Sequence, residues 1–423
     1  MNKIKIGLVG LGTVGSGVFK ELYNNDKVEI SKIVVKNLNK KRDIKGLENV
    51  QISDNVDDII FDKDIKIVIE VIGGLNPAFD IIKKSIENGK HVVTANKELL
   101  AKKGEEIFEI AEKNNKVILY EAAVAGGIPI INPLKTILSN NRLTKVAAIL
   151  NGTTNYILTK MEQDSADYNE VLADAQKLGY AEVDPTSDVE GYDAAYKIAI
   201  LSTLAFKKRV SIDKIYREGI TNIKAEDIEC ASDFGYKIKL IALAQIFDES
   251  KIDVRVHPML VKNNKSLAHI NFVTNAIMMQ GKPIGEIMCS GPGAGEFPTA
   301  ASVVGDVMTI ASEINNTDII LPMMRCTHSV PAEMVDVTET ENRYYLSVNA
   351  KNKIGVIEAL GRAFSQNNIS VSNILQKGVQ DNDSANIVII TEICKEKDMQ
   401  KAVSLLKNDS CVNQINSLIR VME

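Results

Sequence analysis

Short runs of hydrophobic residues alternate with amphipathic stretches over residues 1–125 of the chain. The hydrophobic runs predict buried strands at Ile4–Val9, Val28–Val35, Ile65–Val71, His91–Thr94 and Val117–Tyr120. Helical spacing predicts helices at Ala78–Asn88 and Glu98–Asn114. Continuously hydrophobic strands that alternate with helices are typical of a parallel sheet covered on both faces. This part of the chain is therefore predicted to be a Rossmann-type α/β domain.

The pattern changes between residues 126 and 322, where helices and strands no longer alternate. Helical spacing recurs at Tyr168–Leu178 and Ala194–Ala205. The hydrophobic runs Lys237–Phe247 and Ile252–Val261 are separated by a short polar turn, which predicts an antiparallel strand pair. Helices together with antiparallel strands predict an α+β domain.

The last part of the chain, residues 343–423, predicts the order strand, helix, strand, strand, helix, strand. The elements are Tyr344–Val348, Gly355–Gln366, Ser370–Lys377, Ala385–Ile393, Lys397–Lys407 and Val412–Val421, with a turn at Gln380–Ser384. This order is typical of a ferredoxin-like domain. The sequence thus predicts three domains, and a segment near residues 300–320 is expected to return and complete the first of them.

Composition excludes several classes of protein. The chain has 423 residues, which suggests about three domains, and its 45% hydrophobic and 25% charged residues are ordinary for a globular protein. A net charge of -5 argues against a nucleic-acid partner, which requires a basic surface. No hydrophobic run approaches the roughly 20 residues that span a bilayer. We therefore expect a cytoplasmic protein with no membrane partner.

The cysteines and histidines carry no recognisable motif. The five cysteines include no CxxC pair, so reduced thiols are expected. The four histidines are scattered and form no zinc-binding pattern. If the protein is an enzyme, its proton transfer is not expected to centre on histidine.

A GxGxxG motif follows the first predicted strand and opens a helix. Gly10 permits the tight turn, Gly12 lets the backbone approach a pyrophosphate, and Gly15 allows the helix to pack closely on the strand. The N-terminus of the helix offers unpaired N–H groups to the phosphates. The motif predicts dinucleotide binding, and a purely structural turn is the alternative.

The end of the second predicted strand bears on the choice between NAD and NADP. An acidic residue about 20 residues after the motif would bind the ribose 2′-hydroxyl of NAD. The strand instead ends at Lys36, and Lys40, Lys41 and Arg42 follow. Cations there favour the 2′-phosphate of NADP, with use of NAD as well, while a solvated basic loop is the alternative.

Five acidic residues precede a lysine in the stretch between residues 178 and 204: Glu182, Asp184, Asp188, Glu190 and Asp193. Asp193 and Lys197 are four positions apart and share one helix face. Lys197 lies at the edge of a hydrophobic stripe, where burial would lower the pKa of a lysine. Spacing alone leaves an ordinary surface ion pair as the alternative.

Six blocks follow one another along the chain: GLGTVGSGV at the start, TANKELLA at 94–101, YEAAVAGGIPII at 120–131, LNGTTNYIL at 150–158, LGYAEVDPTSDVEGYDAAYK at 178–197 and GPGAGEFPTA at 291–300. These blocks, in this order, make the sequence resemble the homoserine dehydrogenase family over nearly its whole length. The resemblance implies NAD(P)H-dependent reduction of aspartate 4-semialdehyde to homoserine, in the route to threonine, methionine and isoleucine. Another amino-acid dehydrogenase and a non-catalytic NADP- and amino-acid-binding sensor are the alternatives.

The resemblance also implies roles for individual residues. Lys197 would be the general acid, and Lys97 would lie near both the nicotinamide and the substrate. Asp188 and Asp193 would orient the substrate amino group and the lysine, while Gly179 and Glu182 would contact homoserine. The cofactor would be lined by Thr13, Val14, Thr94, Lys97 and Gly295. For Gly295 a flexible connection between domains is the alternative.

A monovalent-cation site is implied by the resemblance of the block at 120–131. Sodium would be bound by the backbone carbonyls of Val124, Gly126 and Ile128 and by a carboxylate oxygen of Glu121. Its role would be structural, because hydride transfer does not require it.

The C-terminal domain resembles an ACT domain, a module that commonly confers inhibition by threonine on members of this family. Its usual Asp-x-Pro-Gly signature is replaced here by Asn352-Lys353-Ile354-Gly355, so only the glycine is kept. Threonine binding is one expectation, and a domain that only builds the oligomer is the other. The family implies a homodimer or homotetramer.

Overall fold

The computed structural model describes residues 3–314, 330–380 and 384–423. The strands are β1 (Ile4–Val9), β2 (Val28–Val34), β3 (Gln51–Ser53), β4 (Ile65–Glu70), β5 (His91–Thr94), β6 (Ile118–Leu119), β7 (Arg142–Ile149), β8 (Tyr216–Arg217), β9 (Tyr236–Ile246), β10 (Lys251–Lys262), β11 (Thr274–Lys282), β12 (Gly285–Pro292), β13 (Glu333–Met334), β14 (Glu341–Lys351), β15 (Val371–Gln380), β16 (Ser384–Thr391), β17 (Cys394–Lys395) and β18 (Val412–Val421).

The helices in these ranges are α1 (Thr13–Leu22), α2 (Asp57–Ile60), α3 (Ala78–Glu87), α4 (Lys97–Lys113), α5 (Ile131–Lys135), α6 (Gly152–Asp164), α7 (Tyr168–Lys177), α8 (Thr186–Val189), α9 (Tyr192–Phe206), α10 (Ala225–Asp233), α11 (Glu296–Ile314), α12 (Val356–Ser365) and α13 (Glu396–Lys407). Within the same ranges, no helix is both long enough and apolar enough to cross a membrane.

The chain divides into two compact units. The first comprises Met1–Val146, Asp193–Ile215 and Thr274–Ala332. The second comprises Ala147–Tyr192, Tyr216–Val273 and Glu333–Glu423.

The first unit contains a six-stranded sheet in the order β3-β2-β1-β4-β5-β6. Neighbouring strands all run parallel. Ile6, Leu8 and Ile67 are inaccessible to solvent, as expected for strands with helices on both faces. The predicted parallel α/β fold is confirmed, and the glycine motif lies directly after its β1 strand.

Helix α11 packs against α1 in the first unit, and both contribute to one hydrophobic core. Val18 and Phe19 of α1 share that core with Val303 and Val307 of α11. The close approach depends on Gly17, because a Cβ there would lie 2.7 Å from the carbonyl oxygen of Glu296. Part of the segment predicted to return near residues 300–320 lies outside the described residues.

The second unit contains a sheet in the order β9-β10-β18-β14-β16-β15. Strands β9 and β10 pair antiparallel over the full length of β9, from Ile252 opposite Ile246 to Lys262 opposite Tyr236. The predicted strand pair is therefore confirmed. Strand β18 joins this pair to the C-terminal elements through a short parallel contact with β10.

The C-terminal elements form the predicted ferredoxin-like arrangement. Strand β14 pairs antiparallel with both β16 and β18. Helices α12 and α13 cover the sheet, and Leu346, Phe364 and Met399 belong to one hydrophobic core. The predicted strand Ala385–Ile393 is shorter than expected: β16 ends at Thr391, and β17 pairs with the start of β14 instead. The predicted turn at Gln380–Ser384 lies mostly outside the described residues.

Candidate active site

The glycine motif forms the turn between β1 and α1. Gly10 has a φ of +104°, in the left-handed region that favours glycine. A Cβ at Gly15 would lie 2.1 Å from the carbonyl oxygen of Gly10, whereas one at Gly12 would meet nothing within 4 Å. The first-turn N–H groups at Thr13 and Val14 have no acceptor within the helix. The open approach at Gly12 and these donors fit the pyrophosphate of a dinucleotide.

The basic residues after β2 differ in their surroundings. Lys36, Lys40 and Lys41 are exposed. The Arg42 guanidinium instead donates hydrogen bonds to the backbone carbonyls of Lys40 and Asn37, at 2.9 and 3.0 Å. Arg42 therefore stabilises its own loop, while the three lysine side chains extend toward solvent.

The buried carboxylate of Glu70 lies at the carboxyl end of β4. The sequence alone had not pointed to this residue. Glu70 accepts hydrogen bonds from the Thr94 hydroxyl at 2.6 Å and from the Gly73 N–H at 3.2 Å. The Asn96 amide donates to the carbonyl oxygen of Gly74 at 2.7 Å. Burial raises the pKa of the Glu70 carboxyl. A carboxylate between the hydrophobic residues 67–69 and 71–72 was the signal that could have identified it.

Thr94 was predicted to line the cofactor, and its side chain is fully buried. Its hydroxyl donates to Glu70 and accepts a hydrogen bond from the backbone N–H of Asn96 at 3.0 Å. The Asn96 side chain then accepts from the N–H of Leu99 at 3.1 Å and caps α4. This network fixes the start of α4, whose first residue is Lys97.

Lys97, Asp193 and Lys197 come together in the first unit. The Asp193 carboxylate contacts Lys97 Nζ at 2.8 Å through one oxygen and Lys197 Nζ at 2.6 Å through the other. The Lys197 side chain is 10% exposed and that of Lys97 42%. The pair at positions 193 and 197 is therefore buried, unlike the surface ion pair that spacing alone had left open.

The lysine–aspartate centre keeps its carboxylate ionised. Burial opposes the charged form, but the ammonium groups of Lys197 and Lys97 together hold the pKa of Asp193 well below its ordinary range. A carboxylate bridging two cations fixes the positions of both nitrogen atoms. The arrangement presents ammonium groups that can stabilise a developing oxyanion and donate a proton to it.

The acidic block before the helix lies in the second unit. Gly179 follows α7 with a φ of +77°, and Glu182 is exposed. Asp188 accepts a hydrogen bond from the Asn151 amide at 2.6 Å. Asn151 in turn accepts from the N–H of Thr154 at 2.8 Å and caps α6. Asn151 was not singled out from the sequence, although it begins the NGTTNY part of a quoted block.

Glu121, predicted to bind a cation, already accepts several hydrogen bonds. Its carboxylate accepts from the backbone N–H groups of Ile130, Ile131 and Asn132, at 2.5, 2.8 and 2.7 Å. Burial raises the pKa of the neighbouring Asp306 to about 7. Among the described residues, no group of three or more histidine, cysteine or acidic side chains could hold a metal ion.

The rest of the predicted cation loop is buried backbone. Gly126 has a φ of +45°, and its carbonyl oxygen accepts from the Ser302 hydroxyl at 2.7 Å. Val124 and Ile128 are buried at 0% and 2% exposure. Carbonyl and carboxylate oxygens are the donor set that a hard cation prefers, and each oxygen has more than one lone pair. Chemically, the residues fit a monovalent cation.

Gly295, the further candidate for contact with the cofactor, has a φ of +124° and lies just before α11.

The altered ACT signature forms the turn between β14 and α12. Gly355 has a φ of +100° and precedes the first residue of α12, which explains why the glycine is kept. Asn352 and Ile354 are exposed at this turn. The missing Asp and Pro therefore do not disturb the fold.

Three family models match the chain. They are "Homoserine dehydrogenase, NAD binding domain" over residues 10–121, "Homoserine dehydrogenase" over 129–308 and "ACT domain" over 344–410. A homoserine dehydrogenase from Synechocystis sp. is 40% identical, with 99% of each chain covered. One from Bacillus subtilis is 39% identical, with 100% of this chain and 99% of the relative covered.

A solved structure is also similar to this chain over its whole length. The crystal structure of a homoserine dehydrogenase from Thiobacillus denitrificans matches with a TM-score of 0.94 at 35% identity, covering 100% of this chain and 99% of the other. The glycine-rich turn, the lysine–aspartate centre and these matches define an oxidoreductase that binds a nucleotide cofactor and carries an ACT domain. The chain belongs to the homoserine dehydrogenase family. The sensor considered as an alternative is not favoured.

Proposed function

We propose that the protein reversibly reduces L-aspartate 4-semialdehyde to L-homoserine with NADPH, in the biosynthesis of threonine, methionine and isoleucine. The observation that carries the proposal is the Lys97–Asp193–Lys197 centre, in which Asp193 and Lys197 are buried and Lys97 is partly exposed. A reduced nicotinamide supplies the hydride. Negative charge then grows on the aldehyde oxygen, and a nearby ammonium group stabilises it.

Lys197 is the proposed proton donor. Its Nζ gives a proton to the forming alkoxide, and in the reverse direction the neutral amine takes the proton from the homoserine hydroxyl. Asp193 orients Lys197 through the 2.6 Å contact and remains ionised throughout. Lys97, which is more exposed, would contact both the cofactor and the substrate. Both lysines are therefore assigned as catalytic residues.

The remaining substrate contacts are proposed from the family resemblance. Asp188, held by Asn151, would bind the substrate ammonium group, because a carboxylate is its natural partner. Exposed Glu182 and the left-handed turn at Gly179 would contact homoserine.

For the cofactor we propose NADP in preference to NAD. The exposed Lys36 side chain after β2 supports binding of a 2′-phosphate. Gly12, Thr13 and Val14 would bind the pyrophosphate, Gly10 and Gly15 would shape the turn that holds it, and Thr94 would act by fixing the start of α4. Gly295 is a further candidate for cofactor contact. Comparing turnover with NADP and NAD tests the preference, and a strong preference for NAD would contradict it.

A monovalent cation such as sodium is proposed near Val124, Gly126 and Ile128, with Glu121 as its carboxylate ligand. The oxygen donor set supports this, and no step of the reaction passes through the ion. Thermal unfolding in sodium and in choline chloride tests it, since binding to the folded state raises Tm.

Regulation and assembly complete the proposal. We propose a homodimer or homotetramer in the cytoplasm, with three domains at residues 1–125, 126–322 and 343–423. The ACT domain supports binding of an amino-acid effector, for which threonine is the proposed ligand. A threonine inhibition curve tests this, and unchanged activity would favour a purely structural domain.

The central experiment is NADP-dependent oxidation of homoserine, followed by nicotinamide absorbance. We expect turnover that depends on both homoserine and NADP. A folded protein that binds NADPH but shows no turnover with either nucleotide would contradict the proposal.

A further inference from the structure

A short segment, Tyr216–Thr221, lies against the chain that leads into α9; we call it the strap. The N–H of Ile220 donates to the carbonyl oxygen of Val189 at 2.8 Å. A Cβ at Gly219 would lie 2.4 Å from the same oxygen, so the two backbones are in direct contact. Both stretches belong to the second unit.

Side chains strengthen this contact. The Arg217 guanidinium donates to the carbonyl oxygen of Glu190 and stacks on the Tyr192 ring at 3.4 Å. The Thr221 hydroxyl donates to the Glu190 carboxylate at 3.0 Å. The strap therefore holds residues 189–192, which connect Asp188 to Asp193 along the chain.

The other side of the strap is held by Arg420 of β18. Arg420 donates to the Glu218 carboxylate at 3.0 Å and to the Tyr216 hydroxyl at 3.1 Å. Its guanidinium also lies 4.9 Å from the centre of the Tyr216 ring. Two further hydrogen bonds of 2.8 Å join it to Glu396 of α13, in the ferredoxin-like part of the chain.

The strap has little sheet pairing of its own. Strand β8 pairs with β10 at only two positions, Tyr216 opposite Arg255 and Arg217 opposite Val256. Arg420 is 1% exposed, and four of its five N–H groups donate to Tyr216, Glu218 and Glu396. Because the backbone pairing is so short, the side-chain contacts with Arg420 contribute much of the order in the strap.

We propose that Arg420 is a positioning residue that orders residues 189–192 through Tyr216 and Glu218. The inference rests on the proposed function, in which Asp188, before this segment, binds the substrate ammonium group and Asp193, after it, orients Lys197. Loss of the contact leaves the nucleotide-binding turn between β1 and α1 intact. It should therefore weaken binding of homoserine and leave binding of NADP unchanged.

The test uses Tyr216→Phe and Glu218→Gln in the full-length protein. These variants remove the hydroxyl group and the negative charge that the strap presents to Arg420 and leave the buried pair with Glu396 in place, so the fold should survive. We expect KM for homoserine to rise about 3- to 10-fold in the double variant. KM for NADP should stay within about twofold of the wild-type value, and Tm should stay within a few degrees of it.

Glu229→Gln is the matched control. It removes an ion pair of 2.8 Å between Lys377 of β15 and α10, which also involves the C-terminal part but does not touch the strap. Its kinetic constants should equal those of the wild type. An unchanged KM for homoserine in the double variant, or a parallel rise of both KM values with a lower Tm, overturns the inference. A wild-type protein that does not oxidise homoserine overturns the proposed function and the inference together.

Discussion

Two buried clusters of charged side chains, one in each compact unit, have opposite compositions. In the first unit Asp193 lies between the cations Lys97 and Lys197. In the second unit Arg420 lies between the carboxylates Glu218 and Glu396. Both follow the rule that a buried charge needs an opposite partner.

The clusters differ in the charge that remains accessible. Each has a buried group at its centre and one partly exposed member, Lys97 at 42% and Glu218 at 37%. The exposed ammonium group of the first cluster can stabilise a developing negative charge, whereas the exposed carboxylate of the second cannot. Exposure therefore does not distinguish chemistry from positioning in these clusters, but the sign of the exposed charge does.

The largest expected effect is the loss of turnover in Lys197→Ala. We expect kcat for homoserine oxidation to fall about 10³-fold or more, since general acid–base catalysis and charge stabilisation are both lost. Asp193 keeps its contact with Lys97, so the fold should survive. Steady-state kinetics measures kcat, and circular dichroism shows whether the fold survives.

Lys103→Ala is the control for that variant, because Lys103 is an exposed lysine on α4 paired only weakly with Glu106 at 3.5 Å. It should keep full activity. Near-normal turnover in Lys197→Ala would mean that the buried centre of the first unit is structural, like that of the second.

The second prediction concerns stability in the second unit. Arg420→Met leaves Glu396 buried beside Tyr344 without its cation, and removing one partner of a buried pair costs about 3–5 kcal/mol. Denaturant unfolding measures the change in free energy of unfolding. Arg362→Met, which breaks an exposed pair with Asp409, should cost less than about 1 kcal/mol. Equal losses in the two variants would contradict the prediction.

Acid should weaken both clusters. Burial opposes ionisation, but their cations lower the pKa of Asp193 and of Glu396. A carboxyl with a lowered folded pKa contributes stability above its unfolded pKa of about 4, and this is lost as the pH falls further. Unfolding free energy below pH 4 should therefore fall less steeply in Asp193→Asn and Glu396→Gln than in the wild type. Parallel pH curves would show that these carboxyls are not stabilised by their cations.

Local patterns predicted much of the fold, while partners distant in sequence could not be predicted. The hydrophobic run at Ile4–Val9 and the glycine motif predicted β1 and its turn because each depends on neighbouring residues. The four-residue spacing of Asp193 and Lys197 indicated their ion pair. Nothing local links Arg420 to Glu218, 202 positions away, because that contact exists only after the sheet has formed.

Buried polar groups within hydrophobic runs were the second kind of omission. Glu70 follows the buried residues Ile67–Ile69 at the end of β4 and accepts a hydrogen bond from the Thr94 hydroxyl, 24 positions away. Strand periodicity identified the run but gave no reason for its charge. The hydrogen bonds that make this carboxylate tolerable come from two neighbouring strand ends, which only the parallel sheet brings together.

Lys239 gives the smallest expected effect and the sharpest contrast with both clusters. This lysine of β9 is 1% exposed, and its Nζ donates to the carbonyl oxygen of Ile270 at 2.7 Å and to the side-chain oxygens of Asn155 and Asn271. Its described hydrogen-bond acceptors are thus neutral. Burial lowers the pKa of Lys239 to about 8.

The unfolded chain holds that proton up to a pH of about 10, so the unfolded state binds more protons between pH 7 and 9 and the contribution of Lys239 to stability rises with pH. For a folded pKa of about 8 the gain is about 1 kcal/mol. Urea unfolding of the wild type and of Lys239→Met at both pH values isolates this contribution, since the variant should lack it. The same pH response in both proteins would mean that Lys239 stays charged, and that neutral oxygens can replace the carboxylates on which the two clusters depend.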